Sequence, residues 1–175
     1  PVIKKSSVLY DLLLIYMEFK LEKELDEFFE KVDSGEYNII GPHIPMVFYH
    51  KMIHLLNIKK YKEYFRLYET TDLSFLDDYH RVILKINYYT FKGEIDETAA
   101  LFYELFKLTG DHNELIKAVQ IKLDIDKYYE AKYYLQFVNP MELEKPEIYY
   151  MFKAIILKED GNLEEAFNVI NETVN

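Results

Sequence analysis

The chain has 175 residues, half of them hydrophobic, with 21 Lys and Arg set against 31 Asp and Glu. That length and apolar content are enough for a continuous core and exclude a disordered tail; the net charge of −10 opposes general attraction to nucleic acid or anionic membrane. The lack of cysteine excludes disulfides, cysteine-based zinc sites and a cysteine nucleophile, and only Arg66 and Arg81 offer the planar guanidinium that suits phosphate.

In chain order, Ser6 or Ser7 is placed to cap a first helix running to about Lys20, on which Leu9, Leu12, Leu13 and Tyr16 share one face. A second helix, about Glu22 to Val32, carries Leu25, Phe28 and Phe29, and Asp33-Ser34-Gly35 ends it. Residues Gly35 to Pro45 read as the longest loop, because Gly41, Pro42 and Pro45 interrupt helix. Helices are then predicted at Met46 to Leu56, Tyr61 to Tyr68, Asp77 to Phe91 and Glu94 to Leu108. Asp111 or Asn113 caps the next, to Leu123, followed by Lys127 to Phe137, Glu147 to Lys158 and Asn162 to Val174. Gly93 and Gly161 fall at equivalent helix-to-helix turns, where a residue free to adopt positive φ is needed. No strand-like alternation persists, so the expected fold is all-α.

The longest apolar run, Leu12 to Met17, is too short to span a bilayer. Nothing near the N-terminus reads as a signal peptide, so the expected location is intracellular and cytoplasmic. In that setting Asn171-Glu172-Thr173, which matches the glycosylation acceptor pattern, has no use for it.

The second helices have centres at Leu25, Tyr64, Thr98, Ala131 and Ala166, separated by 39, 34, 33 and 35 residues. A fixed period in this range predicts stacked helical hairpins, here one domain over residues 1–175 with units at about 6–35, 45–71, 77–109, 112–139 and 146–175. The loop at 35–45 accounts for the longest step.

The last unit, through Ala154, Leu157, Gly161, Leu163 and Ala166, and the third, through Ile86, Tyr89, Gly93 and Ile95, resemble tetratricopeptide repeats. The family's tryptophan is missing throughout, and the fourth unit fits only with a slip around Lys122. The resemblance implies a right-handed α-solenoid of about five antiparallel hairpins that binds a protein or extended peptide in its concave groove, as a scaffold and not an enzyme. Leu9-Tyr10-Asp11-Leu12-Leu13-Leu14 and Phe48-Tyr49-His50-Lys51-Met52-Ile53 also resemble pentatricopeptide repeats, which implies RNA binding as the runner-up. A third reading is the regulatory domain of a bacterial peptide-pheromone receptor.

In the tetratricopeptide register the groove-facing positions include Tyr10, Tyr49, Ile53, His80, Ile83, Asn87, Asn113 and Gln120. His80 with Asn87, and Asn113 with Gln120, lie seven residues apart on one helix face, where side-chain amides could grip a peptide backbone. Members of the family that clamp a C-terminal carboxylate place a lysine one turn before the groove asparagine. Ile83 stands there instead, which shifts the expected contacts to Tyr49, Ile53 and Ile83.

His50 and His54 have the four-residue spacing of a two-histidine metal site and His43 lies nearby, but the glutamate of zinc peptidases is absent and no metal is expected. The run Glu22, Glu24, Asp26, Glu27, Glu30 and the group Glu142, Glu144, Glu147 read as wet helix faces. With neither a phosphate loop nor a nucleophile elbow, no catalysis or cofactor is expected.

Tyrosine is abundant, at 17 residues. In the doublets Tyr88-Tyr89, Tyr128-Tyr129, Tyr133-Tyr134 and Tyr149-Tyr150, neighbours point about 100° apart, so one ring of each can pack inside while the other reaches the groove or the next repeat. Lys59 to Arg66 is the one basic stretch with interleaved aromatics, the best local support for RNA. Finally, a terminal hairpin exposes the face it would show to a neighbour. That face should draw on Phe152, Ile156, Phe167 and Val174, so the chain is expected to continue in a longer array or to pair through this hairpin.

Overall fold

The computed structural model describes residues 2–174, with side chains over residues 5–171. It is helical throughout: α1 (Val2–Glu18), α2 (Glu22–Asp33), α3 (His43–Asn57), α4 (Tyr61–Thr70), α5 (Asp78–Lys92), α6 (Ile95–Thr109), α7 (His112–Asp124), α8 (Tyr128–Leu135), α9 (Pro146–Glu159) and α10 (Leu163–Val174). Single 3₁₀ turns at Leu73–Phe75 and Pro140–Glu142 precede α5 and α9, and no strand occurs among the described residues. The chain groups into two compact units, residues 1–84 and 85–175, a division that falls inside α5.

One backbone pattern recurs at five turns. Lys20, Lys59, Gly93, Asp126 and Gly161 all have positive φ, from 52° to 82°. Each is followed by a residue whose N–H donates to a carbonyl five positions earlier: Leu21 to Tyr16, Lys60 to Leu55, Glu94 to Tyr89, Lys127 to Lys122 and Asn162 to Leu157, at 2.8–3.0 Å. This 6→1 bond with a left-handed residue inside it is the Schellman closure, which satisfies carbonyls left over at a helix end. The five turns stand 39, 34, 33 and 35 residues apart, and each lies five residues before a predicted centre. All five centres, Leu25, Tyr64, Thr98, Ala131 and Ala166, are buried. The sequence reveals this turn only where it is glycine; at the other three positions lysine or aspartate hides it.

In the first unit α1 packs on α2 and α3, and α3 on α4. Leu9, Leu13, Leu25, Phe28, Phe29 and Val47 form its core. Ser6 is not a cap: α1 begins at Val2, and Ser6 is fully buried inside it with Oγ accepting from the Ile40 N–H at 3.1 Å. That bond anchors the 34–42 connection, whose backbone would otherwise leave a polar group unpaired against the core. The loop is also shorter than expected. Pro45 sits in the first turn of α3, where the missing N–H is one that no helix could satisfy. Tyr64 lies fully inside the unit and its hydroxyl donates to the Leu84 carbonyl at 2.6 Å, and burial raises the phenol's pKa.

In the second unit α7 packs on α6, α8 and α9, and α9 packs on α8 and α10. Leu115, Val119, Ala131, Leu135, Phe152 and Ile156 belong to one core, while Ala154, Ala166 and Val169 form a smaller one between α9 and α10. Asp111, not Asn113, caps α7, accepting the Asn113 N–H at 2.9 Å. The slip at Lys122 has a physical cause. Its stem is almost wholly covered, yet its ammonium lies 2.5 Å from both Asp96 and Glu130. Burial alone would lower the lysine's pKa, but the bonds to these carboxylates outweigh it and raise it. A charged residue thus occupies an interior position through its apolar stem.

Candidate functional site

The residues predicted to line a groove separate into three environments. In the first unit, α1, α3 and the start of α5 bring Tyr10, Tyr49 and His80 into a chain of ring contacts with two residues not assigned to the groove, His43 and His50. The Tyr10 ring lies 5.2 Å from His43 and 6.1 Å from His50. Tyr49 lies 5.5 Å from His50 and meets His80 edge-on at 4.5 Å. All five rings are half-buried, and Ile53, one turn from Tyr49 on α3, is half-buried too.

The polar atoms of this face are held in different ways. The Nδ1–H of His80 donates to the Asp77 carboxylate at 2.8 Å, and Asp77 also accepts the His80 backbone N–H at 2.9 Å. The backbone bond is the main reason that the Asp77 pKa lies below its usual value. Asp77 thereby orients the imidazole while capping α5. His50 has no such anchor: its Nε2 is buried and has no hydrogen-bond partner among the described residues. Burial, and secondarily His80, hold its pKa below the ordinary histidine value, favouring the neutral imidazole. Burial likewise raises the pKa of Tyr10, with Asp11 adding to it, and of Tyr49, with Tyr79 and Asp77 adding to it. Both phenols stay protonated and keep a donor. The result is an aromatic surface in which each ring still carries a polar edge.

His54, one turn beyond His50, is turned the other way. It is buried against Phe29, and its Nε2–H donates to Asp26 at 3.0 Å, a bond that lowers the Asp26 pKa. The two histidines of the apparent metal spacing therefore have different surroundings, His50 against Tyr10 and Tyr49 and His54 against Phe29 and Asp26. Among the described residues no three histidine or carboxylate side chains are grouped to hold a metal ion.

Ile83, at the end of the first unit, and Asn87, at the start of the second, are each half-buried. On α7 the amide of Asn113 is committed to the fold: Nδ2 donates to Asp111 at 2.9 Å and Oδ1 accepts the Glu144 N–H at 3.1 Å. It thus ties the start of α7 to the segment leading into α9. Gln120 is exposed and donates to Asp124 at 2.6 Å.

The tyrosine doublets divide much as their geometry requires. Tyr88 is buried and Tyr89 half-buried, with ring planes at 88°. Tyr149 packs against the larger core of the second unit and Tyr150 against the smaller. In the basic stretch Tyr64 is removed from the surface, while Lys59, Lys60, Lys62 and Arg66 remain exposed. No helix among the described residues is long and apolar enough to cross a membrane.

No family model matches the sequence, and comparison with curated proteins and with solved structures returns no similar chain. The all-helical architecture and this aromatic face therefore carry the functional argument.

Proposed function

We propose that the chain is a tetratricopeptide-like right-handed α-solenoid of five antiparallel hairpins, a non-catalytic scaffold that holds an extended segment of a partner protein. The observation that carries this is the half-buried Tyr10, Tyr49, His50 and His80 surface on α1, α3 and α5. Half-buried aromatic rings lose little side-chain freedom on binding and supply large apolar area with a polar edge, which suits anchor residues of an interface. The imidazole of His50, whose charged form burial disfavours, and the protonated phenols of Tyr10 and Tyr49 offer the peptide uncharged hydrogen-bonding groups.

The five Schellman turns in one register support the repeat architecture. In that architecture the first helix of each hairpin lines the concave side, with Tyr10, Tyr49, Ile53 and His80 on it. Ile83, Asn87, Asn113 and Gln120 continue the same face in this reading, the last two as secondary contacts because their amides already bond within the fold. An RNA ligand of the pentatricopeptide kind is less well supported: the basic stretch keeps its central ring, Tyr64, fully buried and unable to stack on a base.

The test is capture of partners from lysate by wild-type chain and by Tyr49→Ala, followed by direct titration of the captured protein. Truncation of an aromatic anchor should weaken binding by about 2 kcal/mol while the melting profile stays close to wild type. Undiminished affinity in a Tyr10, Tyr49 and His80 triple alanine variant would remove the site from this face. Binding of single-stranded RNA that weakens steeply with salt would favour the nucleic-acid reading, because lysines release counterions from phosphate.

A further inference from the structure

The α9–α10 pair carries an apolar cleft of about 470 Å³. Tyr150, Met151 and Ile155 of α9 and Leu163, Phe167 and Ile170 of α10 form its walls. Phe167 is 66% exposed and Leu163 65%. A second apolar surface lies on α1 and on Phe19 just after it, whose N–H still donates to the Ile15 carbonyl. Val8, Leu12, Ile15 and Phe19 recur at intervals of four, three and four residues, a single helix stripe, and Val8 and Phe19 are 64% and 69% exposed.

We propose that the α9–α10 groove receives helix α1 of a second copy of this chain, giving a head-to-tail association. Three observations select this occupant. The stripe on α1 is the width of one helix, which is what a groove between two helices accepts. The lengths agree: Lys5 to Glu18 along α1 spans about 20 Å, and Glu147 to Lys158 along α9 about 16 Å. The charges at the ends are complementary in one direction only. With α1 parallel to α9, Lys5 meets Glu147 and Glu18 meets Lys158; reversed, both ends set like charges together. Because groove and stripe are different surfaces, the contact is heterologous, and each copy keeps one free groove and one free stripe.

Sedimentation of the 175-residue chain over a range of concentrations should show reversible association. Phe19→Glu and Phe167→Glu change exposed residues on opposite partners, so each should stay folded by circular dichroism and each alone should associate at least about tenfold more weakly. Mixed together, the two variants still hold one intact groove and one intact stripe, and should form a 1:1 complex that grows no further. Charge reversal gives an independent check: Glu18→Lys and Lys158→Glu should each weaken association, and mixing the two should recover it. A chain monomeric at all concentrations would overturn the proposal, leaving the groove to a different partner. So would a Phe19→Glu chain that associates as well as wild type, because the groove would then pair with something other than α1.

Discussion

His50 places a titratable ring where its charge is disfavoured, among Tyr10, Tyr49, His43 and His80. Its folded pKa is depressed, so the unfolded chain binds the proton more readily and stability rises with pH over that interval. The contribution is intact above the unfolded histidine value of about 6.5 and is lost as pH falls through that value toward the lower folded one. Urea unfolding at several pH values between about 7 and 5 should therefore show a decline that flattens in His50→Phe, which keeps a ring but removes the titration. The left-handed turns give a second expectation. Lys20 and Lys59 are exposed at positive φ, a conformation that costs a side-chain-bearing residue about 1 kcal/mol or more. Lys59→Gly should raise the unfolding midpoint by the equivalent of about 0.5–1 kcal/mol, and Gly161→Ala should lower it by a similar amount. A destabilised Lys59→Gly chain would mean that the lysine side chain contributes more than the turn costs.

Between elements, the decisive positions are the five centres, where a second helix meets its neighbours. Ala131 is fully buried and Ala166 nearly so. Leucine at either should overpack the contact and cost about 1–3 kcal/mol in denaturant unfolding. Unchanged stability in Ala166→Leu would place that helix further from α9 than the buried Ala154, Ala166 and Val169 cluster implies. At Tyr64 the same inward position holds a large residue, and its hydroxyl bridges to the Leu84 carbonyl. Tyr64→Phe preserves the ring and removes that bond, so a loss of about 1 kcal/mol is expected. Of the four residues from which some were expected on the outer face of the terminal pair, Phe152 and Ile156 lie instead in the larger core of the second unit. Helical periodicity assigned them to an apolar face but not to the neighbour that covers it. The side chain of Val174, grouped with them, lies outside the described residues. Phe167 does stand exposed.

For the molecule as a whole, acidity is distributed through ion pairs that bridge elements. Asp26 bonds to His54, Asp96 to Lys122 and Lys127, and Glu130 to Lys122; each carboxylate is held below its usual pKa chiefly by the first of these bonds. Depressed carboxylates stabilise the fold above their unfolded values, about 4, and that contribution disappears as pH falls through the lower folded values. Acid unfolding should therefore start below about pH 4, in a window separate from that of His50. Asp96→Asn, which keeps the shape and removes the charge, should make this acid limb shallower, and an unaltered limb would show that the Asp96 bonds to Lys122 and Lys127 add nothing to folding.

The period, the all-helical class and most helix bounds were legible in the sequence because they depend on local periodicity and on helix-breaking residues. Leu25, Tyr64, Thr98, Ala131 and Ala166 could be picked out as repeat centres since each sits in an amphipathic stripe. The site was only partly legible. The resemblance to tetratricopeptide repeats implied a shared face for Tyr10, Tyr49 and His80, but His43 and His50 joined them only through the packing of α1 against α3, a contact between segments more than thirty residues apart. Ser6 was misassigned as a cap for the same reason, as its partner Ile40 is remote in the chain. The left-handed turns at Lys20, Lys59 and Asp126 left no compositional mark, because the fold imposes there a conformation that these residues do not prefer on their own. Local chemistry determined where helices start, stop and repeat. Only the tertiary structure decided which apolar faces are covered, which rings meet, and that an interior lysine at 122 would be matched by Asp96 and Glu130.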